Sequence, residues 1–193
     1  MKNKLIAIIL LLVIIIIYIV RVVYINTHNL APKNVSYKIG DVVDLNNDYF
    51  DNSLEKMDGY SISVLNTDII SINDFMQKYN DYNNEMNADY MYLLNVEFRN
   101  IDNDYGTNAG IDLGQYILQE SSYINFIDRE AFSLINGFDN IKFALRRNSK
   151  KELIIPFHID TFYIDIKKLK NGNPKLVVSL YPNKKTIELK DDK

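Results

Sequence analysis

The residues best suited to chemistry in this 193-residue chain are acidic and fall in two polar runs. Asp102-Asn103-Asp104-Tyr105-Gly106 offers carboxylate and amide oxygens at alternating positions, the oxygen ligands that calcium takes. Its glycine comes one position early for an EF-hand loop, and no glutamate follows at the bidentate spacing. The run therefore reads as a strand connection rich in turn-forming residues. Asp44, Asn46, Asn47, Asp48 and Asp51 read the same way. An external calcium site is the metal chemistry these runs leave open.

Only two histidines are present, His28 and His158. His158 follows Pro156-Phe157 in an apolar stretch, which favours a structural role, and no GxSxG accompanies it. The absence of cysteine excludes disulfides, thiolate metal sites and a thiol nucleophile. No P-loop, dinucleotide fingerprint or zinc motif occurs. Paired carboxylates of the glycosidase kind leave no local signature, and nothing singles one pair out. We assign no catalytic, cofactor-binding or metal-ligating residue, expect no cofactor, and expect the chain not to be an enzyme.

The elements that would position any site alternate with period two. Tyr60, Ile62 and Val64; Tyr92, Leu94, Val96 and Phe98; and Leu176, Val178 and Leu180 mark half-buried strands. Further strands are expected at 37–43, 116–120, 141–145, 151–158, 162–166 and 186–189. Asp58-Gly59, the run 102–110, Asn136-Gly137, Asn171-Gly172-Asn173-Pro174 and Pro182-Asn183 supply turns. Pro156 cannot donate to a ladder, so its strand belongs at an edge or carries a bulge. Ser71-Ile72-Asn73-Asp74 resembles a capping box, and Ile72, Phe75, Met76 and Tyr79 follow at helical spacing, which predicts a short helix over 71–79. The fold class expected is mainly β: an immunoglobulin-like antiparallel β-sandwich with one short helix, following an N-terminal transmembrane helix.

That first helix is the clearest feature of the chain. Lys2 and Lys4 precede an apolar run from Leu5 to Val20, which as a helix covers about 24 Å. Arg21 snorkels while Val22 to Ile25 continue the apolar surface, giving a span of bilayer length. No small-residue cleavage site follows, so residues 1–25 read as an uncleaved signal anchor. Residues 26–36 read as a polar tether and 37–193 as one extracytoplasmic domain. Without Lys2, Lys4 and Arg21 the remainder holds 19 basic and 25 acidic residues, a net charge of −6. Such a domain does not suit nucleic acid. Arg146, Arg147, Lys150 and Lys151 read as a solvated turn. The charge balance at the helix places the N-terminus in the cytoplasm and the domain outside the cell membrane.

The strings YLLNVEFRNID, GIDLGQYILQ, FSLING, ELIIPFHI and LVVSLYPNKKTIEL, together with GYSISVLNTDIISINDFMQKY, resemble an uncharacterised family of membrane-anchored or lipoprotein-like extracytoplasmic proteins of Gram-positive bacteria, catalogued as a domain of unknown function. The similarity runs from about Tyr37 to Leu189. Its most specific piece is Ser179-Leu180-Tyr181-Pro182 with Lys184 and Lys185. The resemblance implies an immunoglobulin-like β-sandwich on the outer face of the cytoplasmic membrane, with no assigned reaction.

The leading expectation is a non-catalytic, single-pass module that contacts another protein or an envelope component. The segment 76–92, rich in tyrosine and asparagine, is the expected contact surface. One alternative is an accessory or immunity protein of a membrane transporter, capturing a peptide by strand addition to the Pro156 edge. Another is an envelope hydrolase using unrecognised carboxylates, which requires a deep cleft with two facing acids.

Overall fold

A computed structural model describes residues 2–28, 33–51, 56–104 and 110–190. The chain divides into two compact units, Met1–Ala31 and Pro32–Lys193. The first is a single helix, α1 (Lys2–His28), apolar throughout its middle and long enough over Ile8–Thr27 to cross a membrane. Twenty residues at ~1.5 Å rise reach about 30 Å, the thickness of a hydrocarbon core.

The second unit is mainly β. Its strands are β1 (Lys33–Lys38), β2 (Val43–Asp44), β3 (Tyr60–Ser71), β4 (Tyr90–Asn100), β5 (Ile111–Asp112), β6 (Ile117–Glu120), β7 (Tyr123–Phe126), β8 (Lys142–Phe143), β9 (Ser149–Ile159), β10 (Lys175–Ser179) and β11 (Asn183–Glu188). One sheet runs β1-β11-β10-β6-β7 and the other β2-β3-β4-β9, with β5 and β8 forming a small separate ribbon. The chain changes sheet between β1 and β2, between β4 and β6, between β7 and β9, and again between β9 and β10. The inward positions Ile62, Val64, Leu94, Val96, Phe98, Ile155 and Phe157 of one sheet meet Leu118, Leu176, Val178 and Ile187 of the other in one buried core. The period-two alternation of the sequence is therefore the alternation between core and outer face.

Several expectations need correction. The sandwich is not wholly antiparallel, because β1 lies parallel to β11, with Lys33 opposite Asn183 and Lys38 opposite Glu188. The stretch 37–43 is broken by Gly40 at φ +88, whose N–H donates to the Val64 carbonyl and hands the chain from one sheet to the other. Structure occupies both ends of the stretch read as a tether, since α1 continues to His28 and β1 begins at Lys33; residues 29–32 lie outside the described set. Among the described residues of the second unit, three short α-helices occur rather than one.

The expected helix is α2 (Ile72–Lys78). Ser71 Oγ accepts the Asp74 N–H at 3.2 Å and donates to Asp74 Oδ2 at 2.6 Å, so the shorter Asp reaches the cap hydroxyl. The unexpected α3 (Arg129–Asn136) starts on the Asp128 carboxylate and stops at left-handed Gly137. The unexpected α4 (Ile166–Asn171) starts on Asp165, and the strand expected over 162–166 is instead a turn leading into it. Phe75, Tyr82, Met91 and Ala131 form a second, smaller core against the outer face of β3 and β4, with Ile70, Ile72, Leu93, Leu134 and Ile135 packed around it.

Candidate functional site

The acidic loop is spent on structure. Asp102 pairs with Arg147, and Asn103 Nδ2 donates to the carbonyls of Lys56 at 2.9 Å and Asp58 at 2.7 Å. Gly59, at φ +82, brings its backbone so close that a Cβ there would sit 2.6 Å from the Asn103 nitrogen. Asp58, Asp102 and Asp104 border a hollow of about 300 Å³, but no three acidic or histidine groups come together to hold a metal among the described residues. Tyr105 and Gly106 lie outside the described residues. In the other acidic run, the Asp41 carboxylate accepts the Lys38 N–H, Asp44 is exposed, and Asp48 is buried. The chain thus spreads these carboxylates over separate structural tasks.

His158 lies on the outer face of β9 opposite Met91. Its Nδ1 is buried without a hydrogen-bond partner among the described residues, so nothing orients it as a base. The basic turn is also neutralised. Arg147 meets Asp102, Lys150 meets Glu97 at 2.6 Å, and the Lys151 ammonium sits 3.7 Å from the centre of the Phe138 ring.

Glu97 is a buried carboxylate on the outer face of β4, held between Lys150 and Arg99. The Lys150 hydrogen bond, against the opposing cost of burial and with help from Arg99, holds its carboxyl below the ordinary glutamate range. It stays ionised at neutral pH and is unsuited to general-acid work. Asp128 is likewise occupied, accepting from the Tyr82 hydroxyl at 2.7 Å and from the Ala131 N–H at 2.9 Å.

Pro156 does sit on an edge strand, because among the described residues β9 pairs with β4 alone. That edge is already covered. The Pro156 carbonyl accepts the Asp128 N–H at 2.9 Å, and the His158 carbonyl accepts Asn125 Nδ2. Asn136 Nδ2 donates to the Ile154 carbonyl at 2.9 Å, and Asn136 Oδ1 accepts the Ile154 N–H at 3.0 Å. Among the described residues, the Ile154, Pro156 and His158 carbonyls on this edge are engaged, so strand addition there would have to displace these bonds.

The segment 76–92 exposes most of its polar residues but turns several of its tyrosines inward. Tyr82 and Tyr92 are buried, and Tyr79 packs on Phe75 with ring centroids 4.8 Å apart. Met86 is its one strongly exposed large apolar residue. The exposed aromatic surface lies instead at Phe162 and Tyr163, which are 85% and 76% exposed and stack edge to face at 4.8 Å.

Their loop is anchored at both ends. Thr161 donates through N and Oγ1 to Asp89 Oδ2 at 2.8 and 2.5 Å, Phe162 N donates to Asp160 Oδ1 at 2.8 Å, and Ile164 is buried. The Asp89 carboxyl is drawn below its ordinary range by the Thr161 hydroxyl first and the Thr161 N–H second. Ile124 and Phe126 on β7 are more than half exposed as well. The outer face of β1, β11, β10 and β6 forms a polar groove of about 440 Å³ that includes Ser36, Gln119, Glu120, Lys175 and Lys184. Lys184 there bonds Gln119, and Lys175 bonds Glu188, each at 3.0 Å.

The most constrained polar group is Lys185, which the alternation of β11 turns inward beside Ile187. Its ammonium meets Asp48 Oδ2 at 2.6 Å and donates to the carbonyls of Asp44 and Leu45. Asp48 Oδ1 in turn accepts from Asn183 N at 3.1 Å and Asn183 Nδ2 at 3.0 Å. The sequence signal that could have found this pair is a lysine two residues before Ile187, in phase with the inward positions of an alternating strand.

The model of a family described as domain of unknown function (DUF5028) matches residues 34–185, from β1 to Lys185 itself. No curated protein matches the chain. No solved structure matches it either.

Proposed function

The chain belongs to the DUF5028 family, and from that premise we propose that it is a single-pass, membrane-anchored β-sandwich whose domain lies outside the cytoplasm and acts by contacting a protein partner rather than by catalysis. The observation that carries this reading is the Phe162–Tyr163 pair. Two large aromatic side chains stand in solvent on a loop fixed by hydrogen bonds to Asp89 and Asp160. Aromatic residues held rigid before binding lose little freedom on contact, which is why such residues dominate the energetics of interfaces. The anchor reading draws on α1, whose stretch Ile8–Thr27 is apolar and long enough to cross a membrane.

The non-catalytic reading draws on the occupied state of each candidate group. Glu97, Asp102 and Asp128 are all engaged in ion pairs or caps. The groove beside Lys175 is bordered by Glu120 rather than by two facing acids.

Because the chain lacks cysteine, a single Ser121→Cys substitution on the exposed β6–β7 turn reports topology directly. A membrane-impermeant maleimide is expected to label it in intact cells. Labelling only after lysis would overturn the placement.

A further inference from the structure

The buried contact between Asp48 and Lys185 is arranged as a reaction site, beyond anything the contact function needs. Their side chains are 3% and 5% exposed. Asp48 Oδ2 faces the Lys185 Nζ at 2.6 Å but outside hydrogen-bonding angles, whereas Oδ1 is held by two donors, the Asn183 N–H and Nδ2. Nζ also reaches the Asp44 and Leu45 carbonyls. We infer that Asp48 and Lys185 condense into an intramolecular isopeptide bond.

The chemistry balances within the pair. The reaction starts from a neutral amine and a neutral acid, which the passage of one proton from Nζ to Oδ2 across the 2.6 Å contact supplies. The amine keeps two N–H groups, one for each carbonyl, and its lone pair faces the carboxyl group. Nζ attacks Cγ, and the negative charge that develops falls on Oδ1, where the two Asn183 donors are already in place. A second proton passes from nitrogen to Oδ2, the Cγ–Oδ2 bond breaks, and that oxygen leaves as water. One C–N bond forms, one C–O bond breaks, and no oxidant or cofactor is required. Holding the two groups in contact replaces a bimolecular encounter by an intramolecular one, which is worth effective concentrations of about 10⁵ M or more. The product ties the turn after β2 to the last strand, giving a chain without cysteine a covalent link between the beginning and end of its fold.

Intact-mass spectrometry of the denatured full-length protein tests this, with Asp48→Ala as the reference that has no carboxyl to condense. The expected result is a wild-type mass lower by one water than its sequence requires, with the variant at its full mass. Trypsin is then expected to leave the bond after Lys185 uncut and to yield its peptide joined to the one containing Asp48. A wild-type chain at its full sequence mass, with trypsin cutting after Lys185, would show an ion pair and nothing more.

Discussion

The side-chain amide of Asn136 pairs with the backbone of Ile154 as a neighbouring strand would, donating to its carbonyl at 2.9 Å and accepting its N–H at 3.0 Å. One residue at the end of α3 therefore closes the outer edge of β9 at Ile154. An uncovered edge is a template for pairing with other chains, so this contact protects the sheet as well as joining helix to strand. Asn136→Ala leaves both Ile154 groups without their partner. It is expected to cost about 1–3 kcal/mol, read from the urea midpoint of the full chain, and to speed hydrogen exchange at the Ile154 amide. An unchanged midpoint and exchange rate would mean that water replaces the amide at no cost.

Tyr82 links the small outer core to the start of α3 through its bond to Asp128. Tyr82→Phe keeps the ring against Phe75 and removes the bond, with an expected loss of about 1–2 kcal/mol. Burial first and the Asp128 hydrogen bond second push its hydroxyl well above the ordinary tyrosine range; burial does the same for Tyr123. Raised values in the fold mean that the unfolded chain gives up these protons first. Stability is then full below the ordinary tyrosine range and falls as pH climbs through and beyond it. Denaturation midpoints measured across alkaline pH should decline more steeply for the wild type than for Tyr82→Phe.

At the acid end the sign reverses. Glu97 is held below its ordinary range by the Lys150 hydrogen bond foremost, with Arg99 adding to it and burial opposing it. Its contribution is present above the ordinary glutamate range and is lost as pH falls through the lowered value in the fold. Glu97→Gln should flatten the acid limb of the stability curve while lowering stability at neutral pH. A variant with an unchanged acid limb would assign that limb to other carboxylates.

The strand pattern was readable because side chains alternate between one core and one outer face, so Tyr60, Ile62 and Val64 announce themselves. The short helices were harder to see. α3 had its signals, Asp128 at the start and Gly137 at the end, but eight residues give barely two turns of periodicity between them. The run Thr161-Phe162-Tyr163-Ile164 has strand-like composition, and only tertiary bonds from Asp89 and Asp160 make it a turn. The tyrosines of 76–92 pointed to a surface because composition alone cannot separate a contact surface from a second small core.

If Phe162 and Tyr163 serve contact rather than folding, replacing both with alanine should leave the denaturation midpoint within about 0.5 kcal/mol of wild type, as for surface positions generally. A large loss of stability would assign the pair to the packing of the β9–α4 loop.

The most direct test of the proposed function places a photo-crosslinking amino acid at Phe162, or at Tyr163, in the full-length chain within its native membrane. Met86, also exposed and on another loop, serves as the control position. A discrete protein adduct from 162 and 163, absent from 86, is the predicted result. No discrete adduct at either aromatic position, or the same adduct from Met86, would contradict a contact function centred on this pair.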